Sequence, residues 1–62
     1  MLQSEVRIRF QKYLRETGVK QSHVAERIDL ATDLVSRFKN GKKDLFLTDL
    51  HKLDLYLIQK GF

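Results

Sequence analysis

Apolar residues recur every three or four positions along this chain and seldom at alternate ones. Val6, Phe10, Tyr13 and Leu14 share one side of a helical period. Ser4 lies ahead of them as an N-cap candidate and Gly18 behind them as a C′ glycine, which predicts a first helix over residues 4–17. Gln21 to Ile28 predicts a short second helix, Thr32 to Lys39 a third that ends at Asn40-Gly41, and Thr48 to Lys60 a fourth that ends at Gly61. No stretch alternates cleanly enough for a strand, so the expected class is all-α. Without proline, repeats or low-complexity sequence there is no linker to find, and residues 1–62 are expected to form one domain.

The last two helices carry more than one pattern. On the fourth, at about 100° per residue, Phe46, Leu50, Leu53 and Leu57 form one face, while His51, Leu55, Ile58 and Phe62 form a second stripe beside it. Three short helices can hardly cover both, so the second stripe is expected to meet another copy or a partner. Protonation of His51 would then make association pH-sensitive. The alternative is a frayed Phe62 and scattered surface apolars, which are common. Between the second and third helices only about three residues remain, so the pair must turn sharply. Ala25 is small where such helices would cross, and Ile28, Leu30, Val35 and Phe38 can lock them together. On the third helix Val35 and Phe38 face inward, while Asp33, Ser36, Arg37 and Asn40 make one outward polar stripe.

Composition narrows the chemistry. Sixty-two residues are near the lower limit for a self-sufficient core, and the absence of cysteine removes disulfides and cysteine-based zinc sites. The longest mostly apolar stretch, Leu53 to Ile58, is far too short to span a bilayer, and the N-terminus lacks a secretory apolar region, so a soluble cytoplasmic protein without membrane association is expected. Twelve Lys and Arg oppose eight Asp and Glu; residues 1–19 carry +2, residues 20–43 carry +3 and the remainder −1. Arg37, Lys39, Lys42 and Lys43 follow one another with no intervening acid, which suggests a polyanionic partner. Catalysis has little to build on. His23 and His51 are isolated, there is no glycine-rich phosphate loop, and no serine has an evident base. His23 and Glu26 offer only two ligands at i, i+3, so no metal, no cofactor and no enzymatic activity are expected.

The series Gln21-Ser22, Val24-Ala25, Ile28, Leu30, Val35-Ser36-Arg37, Asn40-Gly41 and then Leu47, Leu50, Leu53 and Leu57 resembles the helix-turn-helix domain of Cro and lambda-repressor-like regulators, the XRE family. The likeness spans roughly residues 4–58; its pieces are permissive singly and fairly specific in this order and spacing. It implies a compact all-α domain of four or five helices, whose third helix enters the major groove of a double-stranded DNA operator, usually as a dimer. There are departures. Asp29 stands where the family usually has glycine, a position aspartate can fill in a left-handed conformation at a cost of order 1 kcal/mol. Ala31 replaces the usual small polar cap, so either Thr32 caps the third helix or the cap is weak. Many members also carry a fifth helix or longer tail, whereas this sequence stops at Phe62.

Carried over residue by residue, the resemblance places Gln21 and Asn40 on the flanking phosphates. Backbone amides at the start of the second helix can add an anion site, and Lys39, Lys42 and Lys43 would extend the clamp, with Lys20 and His23 at its other end. Arg37 is the first choice for base reading, because a guanidinium can bond guanine O6 and N7 together. Thr32 and Ser36 can donate or accept. Asp33 can accept from cytosine N4, favour the helix dipole regardless of DNA, or orient Arg37 one turn on. Leu34 is expected beneath Phe46 more than against a thymine methyl. The expected function is sequence-specific operator binding as a homodimer by a phage- or plasmid-type repressor. The alternative is an antirepressor or antitoxin-like module that uses the same fold to bind a larger protein regulator.

Overall fold

The computed structural model describes all 62 residues. Four α-helices follow one another, α1 (Gln3–Thr17), α2 (Gln21–Arg27), α3 (Thr32–Lys39) and α4 (Leu47–Gln59), with no strand. The expected all-α fold is present, and every boundary falls within one residue of the periodic reading. α1 packs against both α3 and α4, and α2 packs on α3.

The apolar periodicity explains that arrangement. α1 contributes Val6, Phe10 and Tyr13 to the core, α2 Val24 and Ala25, α3 Val35 and Phe38, and α4 Leu50, Leu53, Tyr56 and Leu57. Ile28 and Leu45, from the connections, complete it, and no charged residue is buried. Ala25 is fully buried, as a close α2–α3 crossing requires. Phe10 and Phe38 are fully buried too. Truncating such a ring to alanine costs about 3–5 kcal/mol, a large share of the roughly 0.05–0.15 kcal/mol per residue that a folded chain retains.

Three residues depart from the sequence expectation. Ser4 is not the N-cap of α1: Leu2 takes that position, and Ser4 lies exposed inside the helix. Phe46 is not on the core face of α4. It precedes the first helical residue in an extended conformation (φ −59°, ψ 151°) and is 81% exposed, so the helical phase of Leu50, Leu53 and Leu57 does not reach back to it. Leu45 enters the core instead, and Tyr56 supplies the remaining side of the α4 face. Phe62, finally, does not extend the outward stripe. It is half-buried against the core, with its ring edge-on to Tyr13 at 5.2 Å.

The chain ends of the helices share a device. After α2, α3 and α4 a residue with positive φ reverses the backbone: Asp29 (59°), Gly41 (76°) and Gly61 (84°). In each case the next amide reaches back to the helix, Leu30 to Ala25 O at 2.9 Å, Lys42 to Arg37 O at 2.9 Å and Phe62 to Leu57 O at 2.8 Å. The left-handed residue itself donates one position nearer the helix end, to Glu26, Phe38 and Ile58 O respectively. These are Schellman closures, which satisfy carbonyls otherwise left unpaired. Asp29 is the one non-glycine residue in such a conformation, and it makes the four-residue connection between α2 and α3 possible.

Between α1 and α4 the core turns partly polar. The hydroxyls of Tyr13 and Tyr56 share a hydrogen bond of 2.8 Å, with the rings edge-to-face at 5.5 Å. Burial, together with the Tyr13 hydrogen bond, pushes the Tyr56 pKa up to about 12. Nearby, Arg9 pairs with Asp54 and donates through Nε to Phe62 O at 2.8 Å, which ties the last residue to α1.

Candidate nucleic-acid interface

α3 separates its two faces cleanly. Val35 and Phe38 are fully buried, whereas Thr32, Asp33, Arg37 and Asn40 are exposed and Ser36 is half-buried. The expected outward stripe is therefore present as one surface. Asp33 and Arg37, a helical turn apart, form no ion pair, so Asp33 does not fix the guanidinium. Ala31 occupies the N-cap position with no side-chain hydrogen bond, and Thr32 is the first helical residue, not a cap. The first-turn amides of α3 are open as a result. Leu34 is partly buried against the core and lines a pocket with Lys43, Asp44, Leu45, Phe46 and Asp49.

The basic candidates continue from the end of α3. Lys39 is half-buried, and Lys42 and Lys43 are exposed in the connection to α4. At the start of α2, Lys20 and His23 are exposed and Gln21 is half-buried. The ion pairs of the molecule are Arg7–Asp44, Arg9–Asp54, Lys12–Glu16 and Lys52–Asp49. Lys20, Arg37, Lys39, Lys42 and Lys43 therefore keep uncompensated charges. Lys20 is the N-cap of α2 and forms no side-chain cap. Gln21 Oε1 is buried with no donor directed at it, so this amide has acceptor capacity unused within the fold.

Sequence periodicity did not single out what holds this surface in place. Gln3, Arg7 and Gln11 sit one turn apart on α1 and point at the end of α3 and the loop beyond it. Arg7 Nε donates to Phe38 O at 2.5 Å, and its Nη2 reaches Asp44 Oδ1 at 2.9 Å and Lys43 O at 3.3 Å. The same guanidinium lies 4.6 Å from the Phe38 ring centroid, a cation–π distance. Gln11 Nε2 donates to Lys39 O at 2.7 Å, and Gln3 both donates to Leu45 O at 2.8 Å and accepts from Leu45 N–H at 3.1 Å. The available signal was a polar i, i+4, i+8 row beside the apolar one, a pattern that a solvated helix face also produces.

A second candidate surface lies on α4. His51, Leu55 and Ile58 are exposed, with Leu55 and Ile58 at 46% and 58%, while Phe62 belongs to the core side. Leu55 borders an open depression between α4 and the end of α2, together with Arg27, Ile28, Asp29, Lys52 and Tyr56. No helix is long and apolar enough to cross a membrane, and no group of three His, Cys, Asp or Glu side chains is placed to hold a metal ion. In comparisons with known proteins, no family model, curated protein or solved structure matches the chain.

Proposed function

We propose that this chain is a sequence-specific double-stranded DNA-binding regulator, a cytoplasmic repressor of the phage or plasmid type that acts by occupying an operator. One observation carries the reading. α3 buries Val35 and Phe38 completely while presenting Asp33, Ser36 and an unpaired Arg37 outward, and this stripe runs on into uncompensated Lys39, Lys42 and Lys43. Phosphate neutralisation and base-edge contact are separate requirements of DNA recognition, and that continuous segment has residue types suited to both. Arg37 would read guanine with about 1–3 kcal/mol of discrimination, Thr32, Asp33 and Ser36 would contact neighbouring bases, and Lys20, Gln21, His23 and Asn40 would join the lysines on phosphates. A homodimer through His51, Leu55 and Ile58 would set two third helices about 34–36 Å apart on a palindromic site.

Selection of bound duplexes from a random pool, followed by fluorescence anisotropy across a salt series, tests this. The expected result is an enriched motif and a log–log salt slope of about −0.9 for each phosphate neutralised. Arg37→Met should relax selectivity at one position and leave the slope little changed. A flat salt response with no enriched motif defeats the reading. A protein-binding role, as an antirepressor or antitoxin-like module, is favoured by a different observation: Phe46 and Leu47 stand 81% and 72% exposed side by side. That role predicts loss of a protein complex in Phe46→Ser with DNA affinity unaltered.

A further inference from the structure

The DNA-binding reading leaves open how a loop of small and charged residues keeps its lysines at a fixed distance from the reading helix. Nothing in residues 40–44 is buried, so packing does not hold the segment. It is held by α1. Arg7, Gln11 and Gln3 together bond the backbone at Phe38, Lys39, Lys43 and Leu45, a span that encloses Asn40, Lys42 and Lys43. Arg7 has a second effect. Asp44 is the one acid in this stretch, next to Lys43, and its carboxylate is taken by Arg7 at 2.9 Å, which leaves both lysines free of an internal partner.

We propose that Gln3, Arg7 and Gln11 are positioning residues for DNA binding: a polar ridge on α1 that ties the end of α3, at Phe38 and Lys39, and the loop, at Lys43 and Leu45, to one support, so holding Lys42 and Lys43 relative to α3, and that sequesters Asp44. The inference rests on the DNA reading above and goes beyond it, because none of the three side chains need touch DNA. Arg7 has only 17% of its side chain exposed and is already engaged by protein acceptors. Its guanidinium is suited to the task because the planar fork bonds the Phe38 carbonyl and the Asp44 carboxylate at once, which a lysine ammonium cannot reproduce. Its charge also lies against the carbonyl end of α3, where a cation is favourable.

The test measures the salt dependence of binding to a selected duplex for the wild type, Arg7→Met, the Gln3→Ala/Gln11→Ala double variant, and Arg7→Met/Asp44→Asn, with circular dichroism at the assay temperature to confirm each is folded. In Arg7→Met the released Asp44 can pair with Lys42 or Lys43 and the loop is loosened, so the slope is expected to become shallower by about 0.9–1.8, equivalent to one or two phosphate contacts. Arg7→Met/Asp44→Asn should recover part of that slope, while the Gln3→Ala/Gln11→Ala variant should lose about one contact without any change of charge. Base selectivity set by Arg37 should persist throughout. If the variants lose affinity by the same factor at every salt concentration, with slopes equal to the wild type, the ridge serves folding alone and the proposal is overturned. If the wild type itself shows no salt-dependent binding, the DNA reading fails and takes this inference with it. The two failures appear in different samples.

Discussion

Asp29 is the sharpest place to test the fold, because its backbone is in a region that ordinary side chains avoid. At φ 59° it forms the left-handed step of the α2 closure. An L-residue there carries a penalty of roughly 1–2 kcal/mol, less for Asp and Asn than for others. The side chain is exposed and in no ion pair, so its removal sacrifices no packing. The carboxylate also lies at the negative end of the α2 dipole, worth about 0.3 kcal/mol against it. Asp29→Gly relieves both and meets an opposing term of about 0.4–1 kcal/mol from the more flexible unfolded chain; the net expectation is a gain of about 0.5 kcal/mol. Asp29→Asn should gain a few tenths by removing charge alone. Asp29→Val, β-branched at positive φ, should lose about 1–2 kcal/mol. Urea unfolding followed by circular dichroism reads these directly, and thermal melts should shift by about 4–8 °C per kcal/mol for a domain of this size. Equal stability of Asp29→Val and Asp29→Gly would mean that the turn does not require the left-handed conformation, and the account of the α2–α3 connection would fall.

Other predictions address the core and the surface. Tyr56 ionises at about 12 when folded and near 10 when unfolded, so the folded state holds a proton the unfolded state releases. Stability from this group is intact below pH 10 and falls as pH rises to 12, by about 2–3 kcal/mol; wild-type and Tyr56→Phe unfolding curves that stay parallel over that window would refute it. Phe62→Ala should cost about 1–2 kcal/mol through loss of its edge contact with Tyr13, and an unchanged stability with weakened self-association would return the ring to the outward stripe. Phe46→Ser should alter stability by less than about 0.5 kcal/mol, and a larger loss would show that Phe46 packs in solution. Ile58→Asp should abolish any dimer seen by sedimentation equilibrium while leaving the monomer's unfolding midpoint in place.

How much of this was legible in the sequence follows from range. α3 could be read almost fully, because Val35 and Phe38 against Asp33, Ser36 and Arg37 is a purely local pattern. The short connection showed only that α2 and α3 turn sharply; the left-handed conformation at Asp29 was expected from the resemblance, which has glycine at that position, and is present. Phe46 was misplaced because periodicity assumes that a helix continues, whereas the chain turns out of phase one residue before α4 and sends Leu45 inward instead. Phe62 depended on a closure at Gly61 and on Arg9, residues far apart in sequence. The Gln3, Arg7 and Gln11 row was visible as a polar stripe, but its targets are backbone carbonyls more than twenty-five positions away, and no side-chain pattern records those.

All four helices finish with carbonyls closed at a left-handed residue, Gly18 after α1 included, yet none begins with a side chain bonded to its first-turn amides. Amide protons should therefore exchange with solvent deuterium unevenly within each helix, fast in the opening turn and slowly toward the close. The first-turn amides of each helix are left as donors without a side-chain partner. A protein already carrying +4 thus meets its surroundings with partial positive charge at every helix start, and protection of those early amides on adding a ligand would map where an anion has settled.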